Sequence, residues 1–440
     1  MKIADGELRG EGRRRRLALH LFICIFQFGF CSAVLAGETW PQFRGPTGQG
    51  HSDSTGLPTH WNETQNVAWK TRIHGLGWST PVVWGQQVWV TTATEDGGDM
   101  FAVCLDRETG SIVHDLHLFH NETVEPLGND VNCYASPSPV IEEGRLYVHF
   151  GSYGTACVDT RTGKVLWQRR DLPCRHYRGP GSSVILFEDK LILTMDGVDV
   201  QYLAALDKQT GRTLWKTDRT TRWTDWGADG NPIAEGDYRK AYSTPIIAMV
   251  EGEPVMVAPG AKAAFAYDPR NGRELWHITY DGFSNAAASL YGHGLFFING
   301  AHRSGLYAVR PGGSGDVTDS HVIWKYPKNI LYKPSPVLVD ELIYMVDDGG
   351  VATCLEAATG QEVWKERMGG KFSASPVYAD GRIYFLSEDG TATVLEPGRQ
   401  YKVLAQNKLD DGFMASPAVA GRALFLRTRT HLYRIEAADQ

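Results

Sequence analysis

The chain has 440 residues, with 48 Gly, 13 Trp and 18 Tyr and a formal net charge of −7. That length suits two or three ordinary domains or one repeat-built ring, and so many glycines and aromatics favour tight turns between aromatic-rich strands over a helical fold. The acidic balance argues against a nucleic-acid partner.

Residues 1–36 read as an export signal, because Arg13 to Arg16 precede the apolar run LALHLFICIFQFGF and small residues at Val34 and Ala36 stand before Gly37. Cleavage after Ala36 is expected, with no stable membrane insertion afterwards and a periplasmic or extracellular destination. The alternative is an uncleaved membrane anchor, since the run is long for a signal and short for a span. Twin-arginine export is a further option. Cys31 follows Phe-Gly-Phe, which disfavours a lipid anchor. Losing 1–36 removes six basic and three acidic residues, leaving 38 against 48 and a net charge of −10.

A leader follows at 37–60. Its stretch GPTGQGHS, 45–52, imitates a phosphate-binding loop, but His51 replaces the lysine and no strand leads into it, so that reading is rejected. The sequons at Asn62 and Asn121 carry no weight without a host.

From there one phrase repeats. VDTRTGKVLW (158–167), LDKQTGRTLW (206–215), YDPRNGRELW (267–276) and LEAATGQEVW (355–364) each place a Trp eight residues after an acidic residue. The Asp accepts turn N–H bonds and the Gly takes a positive φ, so Asp-x-x-Thr-Gly is a hairpin turn. Weaker copies pair Asp106 with His114 and Glu396 with Leu404, put a longer loop between Arg310 and Trp324, and end at Glu436. That makes eight units.

Each unit also opens on a strand marked by Pro81, Pro139, Pro245, Pro336, Pro376 or Pro417, with Ser183 and Ala287 in the corresponding places of the third and fifth. Four strands per unit and eight units predict an all-β, eight-bladed β-propeller over 61–440. Only four residues follow Glu436, so the strand Asn66 to Lys70 is expected to supply the last blade's outer strand and close the ring. The Trp side chains are expected to pack between blades.

The pattern [Ala/Cys]-x-[Asp/Glu]-x-x-Thr-Gly-x-x-x-Trp resembles the PQQ-type propeller repeat, shared by quinoprotein alcohol dehydrogenases and by the non-catalytic propeller of the bacterial outer-membrane β-barrel assembly machinery. WPQFRGPTGQGHS resembles the leader of such propellers. The enzymes would imply PQQ with calcium, a Glu/Asn/Asp cation site, a catalytic Asp and an adjacent Cys-Cys pair. This chain has no Cys-Cys pair, and only Asp281 with Asn285 imitates part of a cation site. The expectation is therefore no cofactor, with PQQ and calcium as the alternative.

In a propeller, the segments leading into the inner strands gather around the channel mouth. Here they carry Asn132, Arg175, His176, Tyr177, Arg178, Arg239, Lys240, Asp281, Asn285, Lys333, Lys371 and Asp411. Six of the twelve are basic, which on an acidic chain points to an anionic or polyhydroxylated ligand. The alternative is solvated loops paired with Asp130, Asp237, Asp281 and Asp411. The insertion 217–240, with Trp223 and Trp226, is read as a partial lid or an aromatic plug.

In HDLHLFH, the spacing of His114, His117 and His120 on a strand alternates faces and so disfavours a shared metal. Cys104, Cys157 and Cys354 stand where other units have Ala and read as buried apolar residues. Cys133 and Cys174 lie in equivalent loops of adjacent units, and a disulfide between them is expected.

Three functional readings follow. The first is a non-catalytic, monomeric propeller binding a protein or polysaccharide at the funnel face. The second is a PQQ-dependent dehydrogenase with a divergent site, and the third a carbohydrate enzyme pairing Asp281 with Asp411.

Overall fold

Eight four-stranded antiparallel sheets follow one another along the chain, two of them extended by a short fifth strand. The computed structural model describes residues 37–128, 130–328 and 331–437. The expected export signal, 1–36, lies outside them. Blades 1 to 7 occupy 82–120, 140–169, 185–218, 246–279, 290–326, 337–367 and 377–408, and blade 8 begins at 418. Third strands such as Ala263–Tyr267 are buried throughout, whereas outer strands such as Thr213–Asp218 alternate, with one face on solvent. This is the eight-bladed β-propeller expected from the repeat.

The repeat's turn chemistry is local. In blade 2, Asp159 Oδ1 accepts the amides of Arg161 at 3.1 Å and Thr162 at 2.8 Å and the Thr162 hydroxyl at 2.8 Å. Asp106 and Asp207 make the same three bonds in blades 1 and 3. The following glycine has φ near +71° at Gly163 and +73° at Gly211, a region that side chains rarely adopt.

That glycine is also where the preceding blade docks. A Cβ on Gly211 would lie 2.7 Å from the Trp167 ring, on Gly272 2.5 Å from Trp215, and on Gly360 2.6 Å from Trp324. Each indole also donates its N–H to a carbonyl of that turn: Trp167 to Lys208 at 3.0 Å, Trp215 to Pro269 at 3.2 Å and Trp324 to Ala357 at 3.0 Å. The Asp-to-Trp phrase therefore writes both halves of an interblade clamp, a flat ring on one blade and a side-chain-free turn on the next. In blade 1, His114 takes the Trp position and packs on Gly163.

Closure follows the same rule. Val67–Arg72 pairs antiparallel with His431–Glu436, and Trp69 donates to Arg107 O of blade 1 at 2.9 Å.

The Ser/Thr before each inner strand has a second role. Thr80 N–H donates to the Ser138 hydroxyl, Ser138 to Ser183 and Ser183 to Thr244, each at 2.9 Å. Ala288, Ser335 and Ser375 continue to Ser335, Ser375 and Ser416 at the same distance. The proline next in line has no N–H to leave unpaired, which suits it to a strand start. Among the described residues this hydroxyl chain has two gaps. Thr244 faces Ala288, which lacks a hydroxyl, and the Thr80 hydroxyl at the seam is buried without a partner.

The leader packs against the inner strands of blades 1, 2, 5 and 7. Trp40 exchanges backbone bonds with Val83 of blade 1, and Pro41 O accepts from Ile141 of blade 2. On the other side Gly50 O accepts from Tyr378 of blade 7, and the Gln49 side chain accepts from Tyr291 of blade 5. The wholly buried Arg44 donates to the carbonyls of Gln49, Pro336 and Pro376. With no carboxylate partner among the described residues, its burial pulls the guanidinium pKa down.

Candidate ligand site at the channel mouth

A cavity of about 610 Å³ occupies the channel on the mouth side, with Phe43 of the leader contributing to its wall. A residue two positions before each inner-strand Ser/Thr/Ala lines it in every blade: Trp78, Ser136, Gly181 and Tyr242 from blades 1 to 4, then Ala286, Lys333, Ser373 and Met414 from blades 5 to 8. Extended chain points residues i and i−2 the same way, so this ring is a consequence of strand period.

Two charged clusters stand on the wall. Lys333 Nζ lies 3.2 Å from Asp348 and 2.9 Å from Glu388, which also accepts the Ser373 hydroxyl at 2.6 Å. Burial raises the Asp348 pKa against the pull of Lys333. At Glu388 burial acts in the same sense, but the bonds from Ser373 and Lys333 bring the carboxyl below its ordinary value. Lys240, buried, pairs with Asp237, and Arg178 lies near it. Burial lowers the Lys240 pKa, Asp237 opposes this and Arg178 adds to it.

Between the clusters runs an aromatic stack. Phe283 and His302 have ring centroids 4.7 Å apart at 17°, and His302 and Tyr332 4.2 Å apart at 29°. Trp78 Nε1, Thr80 Oγ1 and Tyr242 OH are buried without hydrogen-bond partners among the described residues. They belong to blades 1 and 4, the two places where the hydroxyl chain is broken.

Of the twelve mouth residues, the structure places Asn132, Arg178, Lys240 and Lys333 on the cavity wall. The other eight are held elsewhere. Arg175 reaches Glu125 at 2.7 Å and Glu235 at 3.4 Å. His176 is buried, accepts Ser152 N–H at 3.1 Å and is drawn by burial to a pKa of about 4. Tyr177, at φ +68°, lies under the Arg178 guanidinium. Arg239 is bound to Asp225. Asn285 is wholly buried against Asn299, and Lys371 is exposed. Asp281 pairs with Lys262 at 2.5 Å, whereas Asp411 accepts from Thr430 at the edge of blade 8. Neither lines the cavity, so the pairing of Asp281 with Asp411 is not made there. Asp237 does hold a predicted cation, Lys240 rather than Arg239.

The sequence reading missed Trp78, Tyr242, His302, Tyr332, Asp348 and Met414. Counting back by twos from each Ser/Thr would have found Trp78, Tyr242 and Met414, and it separates Lys240, four before Thr244, from Arg239, five before it. His302 and Asp348 come from turns between second and third strands, which a search confined to the loops before inner strands does not reach.

Three other expectations are corrected. Trp223 and Trp226 form no lid over the channel, because both rings flank Arg239, at 5.2 and 4.2 Å, and neither lines the cavity; Trp223 instead shares a cleft with Phe265 and His277 of blade 4. The Cys133–Cys174 disulfide is not formed. All five cysteines of the propeller are free; Cys133 Sγ contacts Ser136 Oγ at 3.3 Å and Cys174 Sγ contacts His176 Nδ1 at 3.6 Å, each thiol buried in its own loop. On Ile112–His120 a register shift sets Phe119 opposite Met100 and His117 opposite Phe101, leaving Leu118 unpaired. This bulge breaks the alternation, so His117 Nε2 and His120 Nδ1 both lie 2.8 Å from Asp99 Oδ1. Even so, no group of three or more His, Cys, Asp or Glu among the described residues is arranged to hold a metal.

A family profile described as outer membrane protein assembly factor BamB matches residues 53–171 and 315–401. No curated protein sequence matches significantly. Among solved structures, a europium-containing methanol dehydrogenase is 13% identical with a TM-score of 0.64, the match covering 89% of each chain. BamB from Moraxella catarrhalis is 13% identical with a TM-score of 0.56, over 84% of this chain and 99% of that one. A quinohemoprotein alcohol dehydrogenase from Comamonas testosteroni is 12% identical with a TM-score of 0.63, over 91% and 81%. At such identities these likenesses establish the fold, while activity resides in the site. With the profile match and the repeated turn-to-Trp clamp beside them, the findings support a PQQ-like β-propeller family for this chain.

Proposed function

We propose that this chain is an exported, non-catalytic binding propeller whose ligand, an anion carrying a flat ring, seats in the central cavity. The observation that carries this reading is the convergence of Arg178, which makes no ion pair among the described residues, with the Phe283–His302–Tyr332 stack at the cavity. A guanidinium without a carboxylate partner beside stacked rings favours a planar anion, and the unpartnered Trp78, Thr80 and Tyr242 groups supply donors for its oxygens.

Calcium-bound PQQ does not fit these residues. A divalent cation needs several oxygen ligands with charge to spare. Here Asp348 and Glu388 are both already bonded to Lys333, and Asp237 to Lys240, so each carboxylate is engaged by an ammonium group. The thiols are separate and buried.

A second reading, docking of a protein or polysaccharide at the mouth, is favoured by Trp226, 53% exposed, and by the exposed Ile233 on the same insertion.

Calorimetric titration with naphthalene-2,6-dicarboxylate and with PQQ, each with and without calcium, tests the first reading. The expected result is calcium-independent binding weakened at least about tenfold by Arg178→Ala, the scale of a charge-assisted hydrogen bond. Calcium-dependent PQQ binding accompanied by dye reduction with an alcohol would make the protein a dehydrogenase instead.

A further inference from the structure

A second cleft, of about 660 Å³, opens on the flank of blade 4 and shares no lining residue with the central cavity. Two segments that the repeat does not require build its walls. One is 220–225, the start of the blade 3 to blade 4 insertion. The other comes from the long loop of blade 5, where Gly315–Asp316 adds a parallel strand to the outer edge of blade 4 and Thr318 bonds Thr279. Ring closure needs neither segment, yet they converge on one hollow.

Its chemistry is mixed in a particular way. Thr221, Thr224 and Thr279 bring hydroxyls, each able both to donate and to accept. The Thr221 Oγ1 is buried without a partner among the described residues. Asp281 and Asp316 bring carboxylates, Lys262 and Arg222 bring cations, and Trp223 brings a flat ring that Arg239 backs at 5.2 Å. A phosphate would meet carboxylates, and an apolar ligand would have to desolvate both signs of charge. A sugar satisfies the set, since every hydroxyl on it donates and accepts and one face of a pyranose is apolar enough to lie on an indole.

We propose that this cleft is a carbohydrate-binding site for neutral oligosaccharides, separate from the cavity at the channel mouth. The chain of residues 37–440 is applied to an array of neutral and acidic oligosaccharides, and the glycan retained most is titrated against variants. The expected outcome is retention of neutral glycans, with affinity reduced at least tenfold by Trp223→Ala and by the paired change Thr221→Val with Thr279→Val. Lys333→Ala in the central cavity leaves that affinity unchanged. The threonine pair keeps the test sound if Trp223→Ala loosens the insertion, because valine preserves side-chain volume. Retention of acidic glycans alone, of no glycan, or of a neutral glycan whose binding follows Lys333 instead of Thr221 overturns the proposal.

Discussion

The Arg239 guanidinium lies 2.8 Å from Asp225 Oδ1, shares its Nε between both oxygens of that carboxylate, and is covered by the Trp226 ring 4.2 Å away. Both charged side chains are largely buried, at 8% and 14% exposed. Removing the arginine would strand a buried carboxylate, a change that costs about 3–5 kcal/mol. Because the pair closes only the insertion, the loss is local. Arg239→Ala should make 220–239 susceptible to limited proteolysis while the melting temperature of the ring barely moves. Arg239→Lys should not restore protection, since lysine provides neither the planar fork nor the stacked face.

The broken hydroxyl chain can be tested in both directions. Ser375→Ala removes the acceptor of the buried Ser335 amide and should cost about 1–3 kcal/mol in denaturant unfolding. Ala288→Ser introduces a hydroxyl opposite Thr244, where the other blades have one, and should stabilise by about 0.5–1.5 kcal/mol. A destabilised Ala288→Ser variant would show that this gap is required by packing.

Turn aspartates make the ring sensitive to acid. The Thr109 amide and hydroxyl lower the Asp106 pKa, the Thr162 hydroxyl and amide lower that of Asp159, and the Thr210 hydroxyl lowers that of Asp207. A depressed folded value contributes stability above the unfolded carboxylate pKa of about 3.9, and the contribution is lost as pH falls through the folded value. Melting temperature should therefore drop steeply below about pH 4. Asp159→Asn with Asp207→Asn should flatten that slope, as scanning calorimetry at successive pH values would read.

The thiols should be silent until the ring opens. Burial pushes Cys157 up to about 11 and Cys354 up to about 12, and moves Cys104, Cys133 and Cys174 upward as well. At pH 8 the folded propeller should not react with a disulfide reagent, whereas the unfolded one should release five equivalents, one for each free cysteine. Three equivalents on unfolding without reductant would restore the Cys133–Cys174 bridge.

Sequence by itself determined the ring. Asp159, Thr162, Gly163 and Trp167 act within a span of nine residues, so turn geometry and strand alternation can be read from neighbours, and their repetition counts the blades. Closure by Val67–Arg72 was legible for the same reason, as the last unit lacks a strand of recognisable type. Tertiary structure decided which charges reach the channel, because a loop cation takes the nearest carboxylate in space. Arg175 found Glu125, fifty positions away, and Arg239 found Asp225 across a loop the sequence left unfolded, while Lys240, one residue on, turned inward. A single bulge at Leu118 likewise brought His117 and His120 onto Asp99 against the strand's alternation. Turn and strand preferences are short-range and repeat with the sequence, whereas ion pairing and bulge placement depend on distances that exist only after the blades have closed.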